Sequence, residues 1–215
     1  MKRTIAIAAL CAGIMLTTFP CQAKESGNVK INSKNFPDTI VREYVSEKID
    51  KNNDGYLSKK EISAVKTIII DKNNLYWENK DKPKEDYEII DCKGLEIFTN
   101  VEKVKLTTYC DTYVSEYGNI KNIKVLTKLT KIKNLEISGV NNSNYDFTKL
   151  NNLERLCIKS TKLKKLNLSK NVKLKNLKLA YNPLLKKINF TKNKNLEKIN
   201  LYGSGVKKIT LGKNN

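Results

Sequence analysis

The stretch "LKNLKLAYNPL", residues 174–184, sets leucines at 174, 177 and 179 and follows them with Asn182. In extended backbone successive side chains alternate, so Leu177 and Leu179 point to one face, and Leu174 enters the same interior from the preceding turn. The same L-x-x-L-x-L grammar recurs on both sides. It reads "LERLCI" from Leu153 and "LEKINL" from Leu196, and a second half-unit reads "LKKLNLSKN" from Leu163, "LKKINFTKN" from Leu185 and "VKKITLGKN" from Val206. A period near 21 residues built of two apolar half-units cannot bury its leucines alone. Stacking the units side by side does, so the pattern predicts an α/β repeat solenoid with a parallel sheet on its concave face.

Upstream, "LTKLTKIKNLEI" from Leu126, "LEIFTNVEKVKL" from Leu95 and "VKTIII" from Val65 keep this grammar with interruptions. Concave strands are therefore expected near 68–70, 104–106, 135–137, 156–158, 177–179 and 199–201. The wider early spacing implies insertions at 71–88 and 107–122. The first holds the single Trp, Trp77, and the second Tyr109, Tyr113 and Tyr117. Both are expected as loops at one edge, either available for binding or folded back over the core.

These repeats resemble the leucine-rich repeat family, in particular the 21 to 22 residue form of the internalins and of secreted proteins of low-GC Gram-positive bacteria. The resemblance implies a leucine-rich repeat solenoid over 67–215, and it places Asn182 in an asparagine ladder bonded to turn backbone. Thr161 and Ser204 take the equivalent place in neighbouring units. "NFPD" at 35–38, a calcium-type loop and "GLEIFTN" at 94–100 ahead of the repeats look like secreted repeat proteins of gut clostridia.

That loop is "DKNNDGYLSKKE", residues 50–61, which fits D-x-[DN]-x-[DN]-G-x5-E. A chain wrapped around a hard cation supplies oxygens at alternate positions. Asp50, Asn52 and Asp54 come first, Gly55 permits the turn, the Tyr56 carbonyl and Ser58 follow, and Glu61 closes the sphere. "NFPDTIVREYVSEKI" predicts a helix with Pro37 near its start and Ile40, Val41, Tyr44, Val45 and Ile49 on one stripe, and "SKKEISAVK" a short second helix. Residues 24–66 are thus expected to form an EF-hand helical cap on the open N-terminal end of the stack, with Ca2+ as its cofactor. Lysines at 51, 59 and 60 and the lack of a paired second EF-hand predict affinity in the extracellular range, roughly 10⁻⁴ to 10⁻³ M.

Lys2 and Arg3 precede "TIAIAALCAGIML", too short to span a bilayer, and "CQA" ends at Ala23. Residues 1–23 read as a signal peptide cleaved after Ala23, and the chain as secreted or at the cell surface, without a membrane span. Neither Cys11 nor Cys21 has a lipoprotein context, and no sortase-type tail is present. Removing the leader takes away two basic residues and no acid, so the formal charge falls from +19 to +17. Such a balance favours anionic partners, although the lysines can equally be solvated faces. Of the remaining Cys92, Cys110 and Cys157, the first two could approach each other, and the sequence leaves a bridge open.

The chain has no histidine, which excludes Ser-His-Asp and Cys-His activation and His-ligated zinc. Glu136 and Glu154 are single charges beside lysines and not a glycosidase pair, so no enzyme is expected. Alternation turns Lys105, Glu136, Cys157, Lys178 and Asn200 outward on the concave face, with Lys103, Asn134, Arg155, Asn176 and Lys198 just before them. Thr107, Ser138, Lys159, Ala180 and Tyr202 come just after. Cys157 is expected to be shielded by lysine stems. This basic row, poor in aromatics, suits an acidic protein or anionic surface polymer bound by a monomer. No specific nucleic acid is expected, since a groove-reading helix and a stacking platform are both missing. The alternative is plain polyelectrolyte contact with wall polymers, glycans or nucleic acid.

Overall fold

The computed structural model describes residues 27–72, 89–108, 110–111 and 116–212. The leader expected at 1–23, Trp77, Tyr109 and Tyr113 lie outside these. Near the N-terminus β1 (Val29–Lys30) pairs antiparallel with β2 (Tyr56–Leu57), and between them runs α1 (Thr39–Lys48). A second helix, α2 (Lys59–Ala64), leads through Val65 into β3 (Thr67–Asp71).

From β3 onward the leucine triplets become strands. β5 (Lys103–Thr107), β9 (Asn134–Val140), β11 (Arg155–Thr161), β13 (Asn176–Lys178) and β15 (Lys198–Asn200) add to β3 in chain order as one parallel six-stranded sheet. Ile68, Val104, Leu135, Leu156, Leu177 and Ile199 form a single cross-strand rung. Five of the six are buried, which is what fixes the register, since a one-residue slip would turn each of them to solvent.

Each unit has a second strand on the opposite side of the core. These are β4 (Ile89–Asp91), β8 (Asn119–Lys121), β10 (Asn144–Asp146), β12 (Lys165–Asn167), β14 (Lys187–Asn189) and β16 (Lys208–Thr210), in the parallel pairs β4–β8, β10–β12 and β14–β16. Ile90, Ile120, Tyr145 and Ile188 point from them into the layer filled by the front leucines. Residues 107–122, expected as a plain loop insertion, therefore differ from that reading. They hold β6 (Cys110–Asp111) antiparallel to β7 (Glu116–Tyr117), and then the whole of β8. One buried isoleucine between polar neighbours suffices for a back strand, and it is too sparse to register as a repeat.

Two features hold the turns. Gly139, Ser160, Tyr181 and Gly203 all have positive φ, at 74°, 49°, 56° and 66°, one in each of the last four units as the chain leaves the front sheet. Buried asparagines then tie turn to turn. The Asn182 amide donates to the Ile158 and Ala180 carbonyls at 2.8 and 3.2 Å, and the Thr161 hydroxyl donates to Asn182 at 2.5 Å. A second column, unforeseen in the sequence, has Asn171 donating to Phe147 and Leu150, and Asn193 to Leu168 and Asn171. The recurring S-K-N and T-K-N at 169–171 and 191–193 were its signal.

The two ends of the stack differ. At the first strand the Tyr44 hydroxyl donates to the Thr67 carbonyl at 3.2 Å and accepts from the Ile69 amide at 3.3 Å, so α1 satisfies part of the edge of β3. Asp38 caps α1 through the Val41 amide, accepts the Asp91 amide, and forms a buried ion pair with Lys72 at 3.0 Å. Phe36 of "NFPD" stacks on Phe98 of "GLEIFTN" at 6.4 Å, which brings those two motifs into one contact. At the last unit Ile199, Ile209 and Leu211 are 45%, 48% and 66% exposed.

Candidate functional site

Two groups of candidate residues come out of this architecture, one in the loop between the helices and one on the front sheet. In the loop, Asn53 and Gly55 take positive φ, 55° and 78°, and turn the chain back on itself. The buried Asp50 carboxylate accepts the Asp54 and Gly55 amides at 3.3 and 2.9 Å. Asp54 accepts from the Tyr56 amide at 2.8 Å and from the Asn52 side chain at 3.0 Å. Glu61 reaches back across the loop: one oxygen accepts the Lys51 amide at 2.8 Å, the other the Ser58 amide and hydroxyl at 2.9 and 2.7 Å. With Ser58 in turn accepting the Glu61 amide, the pair forms a capping box at the start of α2.

Burial pushes the Glu61 carboxyl up. The amide and hydroxyl of Ser58, with the Lys51 and Asn52 amides, outweigh it and hold its pKa below the ordinary carboxylate range. Among the described residues no group of three or more His, Cys, Asp or Glu gathers as a metal cluster. A hard cation here would draw instead on a mixed set of carboxylates, the Asn52 amide oxygen, Ser58 and the Tyr56 carbonyl, all oxygen donors carried by one turn of chain. The donor chemistry fits calcium. The short strand Tyr56–Leu57 at the end of the loop takes its partner from Val29–Lys30.

On the front sheet the outward residues form columns across the strands. Lys103, Asn134, Arg155, Asn176 and Lys198 are in register, as are Lys105, Glu136, Cys157, Lys178 and Asn200. All of these except Lys105 border a shallow groove of about 650 Å³, which Glu154 also lines. Lys105 pairs with Asp71 at 2.9 Å, which pushes its pKa up, and Lys159 pairs with Glu136 at 3.1 Å. Arg155, Lys178 and Lys198 are exposed. Tyr202 lies beyond the end of β15, exposed, with its ring edge-on to Tyr181 at 5.4 Å.

One column was not anticipated. Just ahead of each front strand stand Lys66, Glu102, Lys133, Glu154, Lys175 and Glu197, each amide from Glu102 on donating to the carbonyl of the residue before it in the column. Charge alternates from unit to unit. Lys133 meets Glu102 at 2.9 Å, lowering the Glu102 pKa and raising its own through that hydrogen bond. Both cysteines that could matter to redox chemistry are quiet. Cys92 is a buried free thiol, so a Cys92–Cys110 bridge is not made. Cys157 is half-buried, and burial together with Glu136 raises its pKa.

The stacked parallel strands and buried asparagine columns define the α/β fold of a leucine-rich repeat protein. Among solved structures the chain is similar to an internalin, InlF, from Listeria monocytogenes, with a TM-score of 0.66 at 19% identity over 84% of this chain. Two further Listeria monocytogenes structures match less closely in shape. Internalin C2 gives a TM-score of 0.34 at 15% identity, over 86% of this chain and 97% of its own. The functional domain of InlJ, which includes a cysteine ladder, gives 0.37 at 13%, over 82% of this chain and 48% of its own. The chain spans about half the length of InlF, 47%. No family model and no curated protein matches the sequence. Among the described residues no helix is long and apolar enough to cross a membrane.

Proposed function

We propose that this chain is an exported, calcium-binding leucine-rich repeat protein that holds a partner protein on its front sheet, as a surface-binding or adhesion module. The observation that supports this most is the face itself. A parallel sheet turns its leucines inward and lines its open groove with cations, amides and the carboxylates of Glu136 and Glu154. A backbone already ordered in a sheet loses little freedom when a partner docks, which favours specific recognition.

In this reading calcium sits in the 50–61 loop, ligated by Asp50, Asn52, Asp54, the Tyr56 carbonyl, Ser58 and Glu61. Its role is architectural. An ordered loop fixes α1, and α1 carries Tyr44 and Asp38 onto the first unit. The test has two arms on the full chain. Calcium at about 5 mM, above the expected dissociation range, raises the melting midpoint relative to chelator by about 5 °C; an unchanged midpoint removes the metal from the account. A photo-crosslinker placed at Asn134 or Asn176 captures a surface protein, and one at Lys187 on the back does not. Equal capture from both faces would favour the second reading, diffuse contact with anionic polymers driven by the net charge, +17 once the leader is removed.

A further inference from the structure

We infer that the partner presents an extended acidic segment lying across the strands, with a carboxylate at every third residue. This rests on the protein-binding reading above and specifies its chemistry. The column Lys103, Asn134, Arg155, Asn176, Lys198 places a cation on every second strand and an amide between. With strands about 4.8 Å apart, the cations recur at about 10 Å, over about 19 Å in all. All three cations are exposed, and among the described residues none of their side chains has an ion pair or hydrogen bond. Of the acids in the adjoining columns, Asp71 is paired with Lys105, Glu102 with Lys133 and Glu136 with Lys159, while Glu154 and Glu197 stand one residue ahead of Arg155 and Lys198. The column itself therefore offers three cations to two amides and no acid of its own.

The spacing selects a conformation. A β-strand repeats its side-chain direction every two residues, about 6.8 Å, which misses the cations. A polyproline II segment repeats every three residues at a rise of about 3.1 Å, so acids at i, i+3 and i+6 recur at about 9.3 Å. Such a segment makes no internal hydrogen bonds, and its free carbonyls and amides need partners. Asn134 and Asn176, standing between the cations, carry both donors and acceptors for them. Lys178, exposed one column over, adds a further charge beside the same path.

The test uses the full chain and two peptides of equal composition, (Glu-Pro-Pro)4 and an isomer with its four glutamates contiguous, measured by fluorescence anisotropy at low salt. The triple variant Lys103→Gln, Arg155→Gln, Lys198→Gln is compared with Lys165→Gln, Lys187→Gln, Lys208→Gln, which removes the same charge from the back. The repeating peptide is expected to lose roughly tenfold in affinity with the front triple and less than about twofold with the back triple. The contiguous isomer is expected to bind wild type about fivefold more weakly. Equal binding of the two peptides overturns the spacing while leaving a protein-binding front face. Equal losses in the two triples overturn both, and no measurable binding of the repeating peptide overturns the inference. Melting curves of the variants, all at exposed positions, report that each is folded.

Discussion

Gly94 shows how much of the N-terminal end depends on one missing side chain. Its φ of 97° suits glycine, and a Cβ there would lie 2.5 Å from the Phe36 ring and against the Asn35 carbonyl. Gly94→Ala is expected to cost about 2 to 4 kcal/mol in urea unfolding, combining left-handed strain with overpacking of a buried ring. A loss under about 0.5 kcal/mol would mean that Phe36 is not held there. "NFPD" and "GLEIFTN" were legible as motifs, but their meeting was not, because 55 or more residues separate them and neither states its partner. The left-handed column was equally hidden. Glycine at 139 and 203 hints at it, whereas Ser160 and Tyr181 adopt the same conformation without any signal in their identity.

The helix-loop-helix element turns on Glu61, which joins the loop's start to the cap of α2. Its pKa is lowered in the folded chain, so its contribution is present above the ordinary carboxylate value of 4.5 and is lost as pH falls through the lower folded value. The amide resonances of Lys51 and Ser58 should titrate together with a midpoint below 4.5; a midpoint at or above it would show that Glu61 does not reach both. The helices could be read from the sequence because Val41, Val45 and Ile49 keep a helical stripe and Asp38 and Ser58 are good caps. The pairing of β1 with β2 could not, since two residues carry no period. Front strands were legible for the opposite reason, each L-x-L repeating the same instruction, while the back strands at Ile90 and Ile120 are three residues long and show no apolar alternation of their own.

Across the whole molecule, protection should fall from the central strands of the front sheet to the last unit. β15 and β16 expose Ile199 and Ile209, and among the described residues each has a strand partner on one side alone. In a stack where each unit leans on its neighbours, opening then begins at that end. Hydrogen exchange is expected to be fastest for amides of residues 198–200 and 208–210 and slowest in β9 and β11; uniform rates would mean that the stack opens as one. The repeat itself was readable from its leucines, but the polar columns became visible only after the strands were aligned, because unequal spacing of the first three units hides them. The sign alternation from Lys66 to Glu197 carries a consequence for how such a chain can lengthen or shorten. Excising a single unit would set Lys133 beside Lys175, whereas excising two, residues 154–196, would set Lys133 beside Glu197 and keep the alternation. Adding or removing turns in pairs therefore preserves the alternation of charge, and a single turn breaks it.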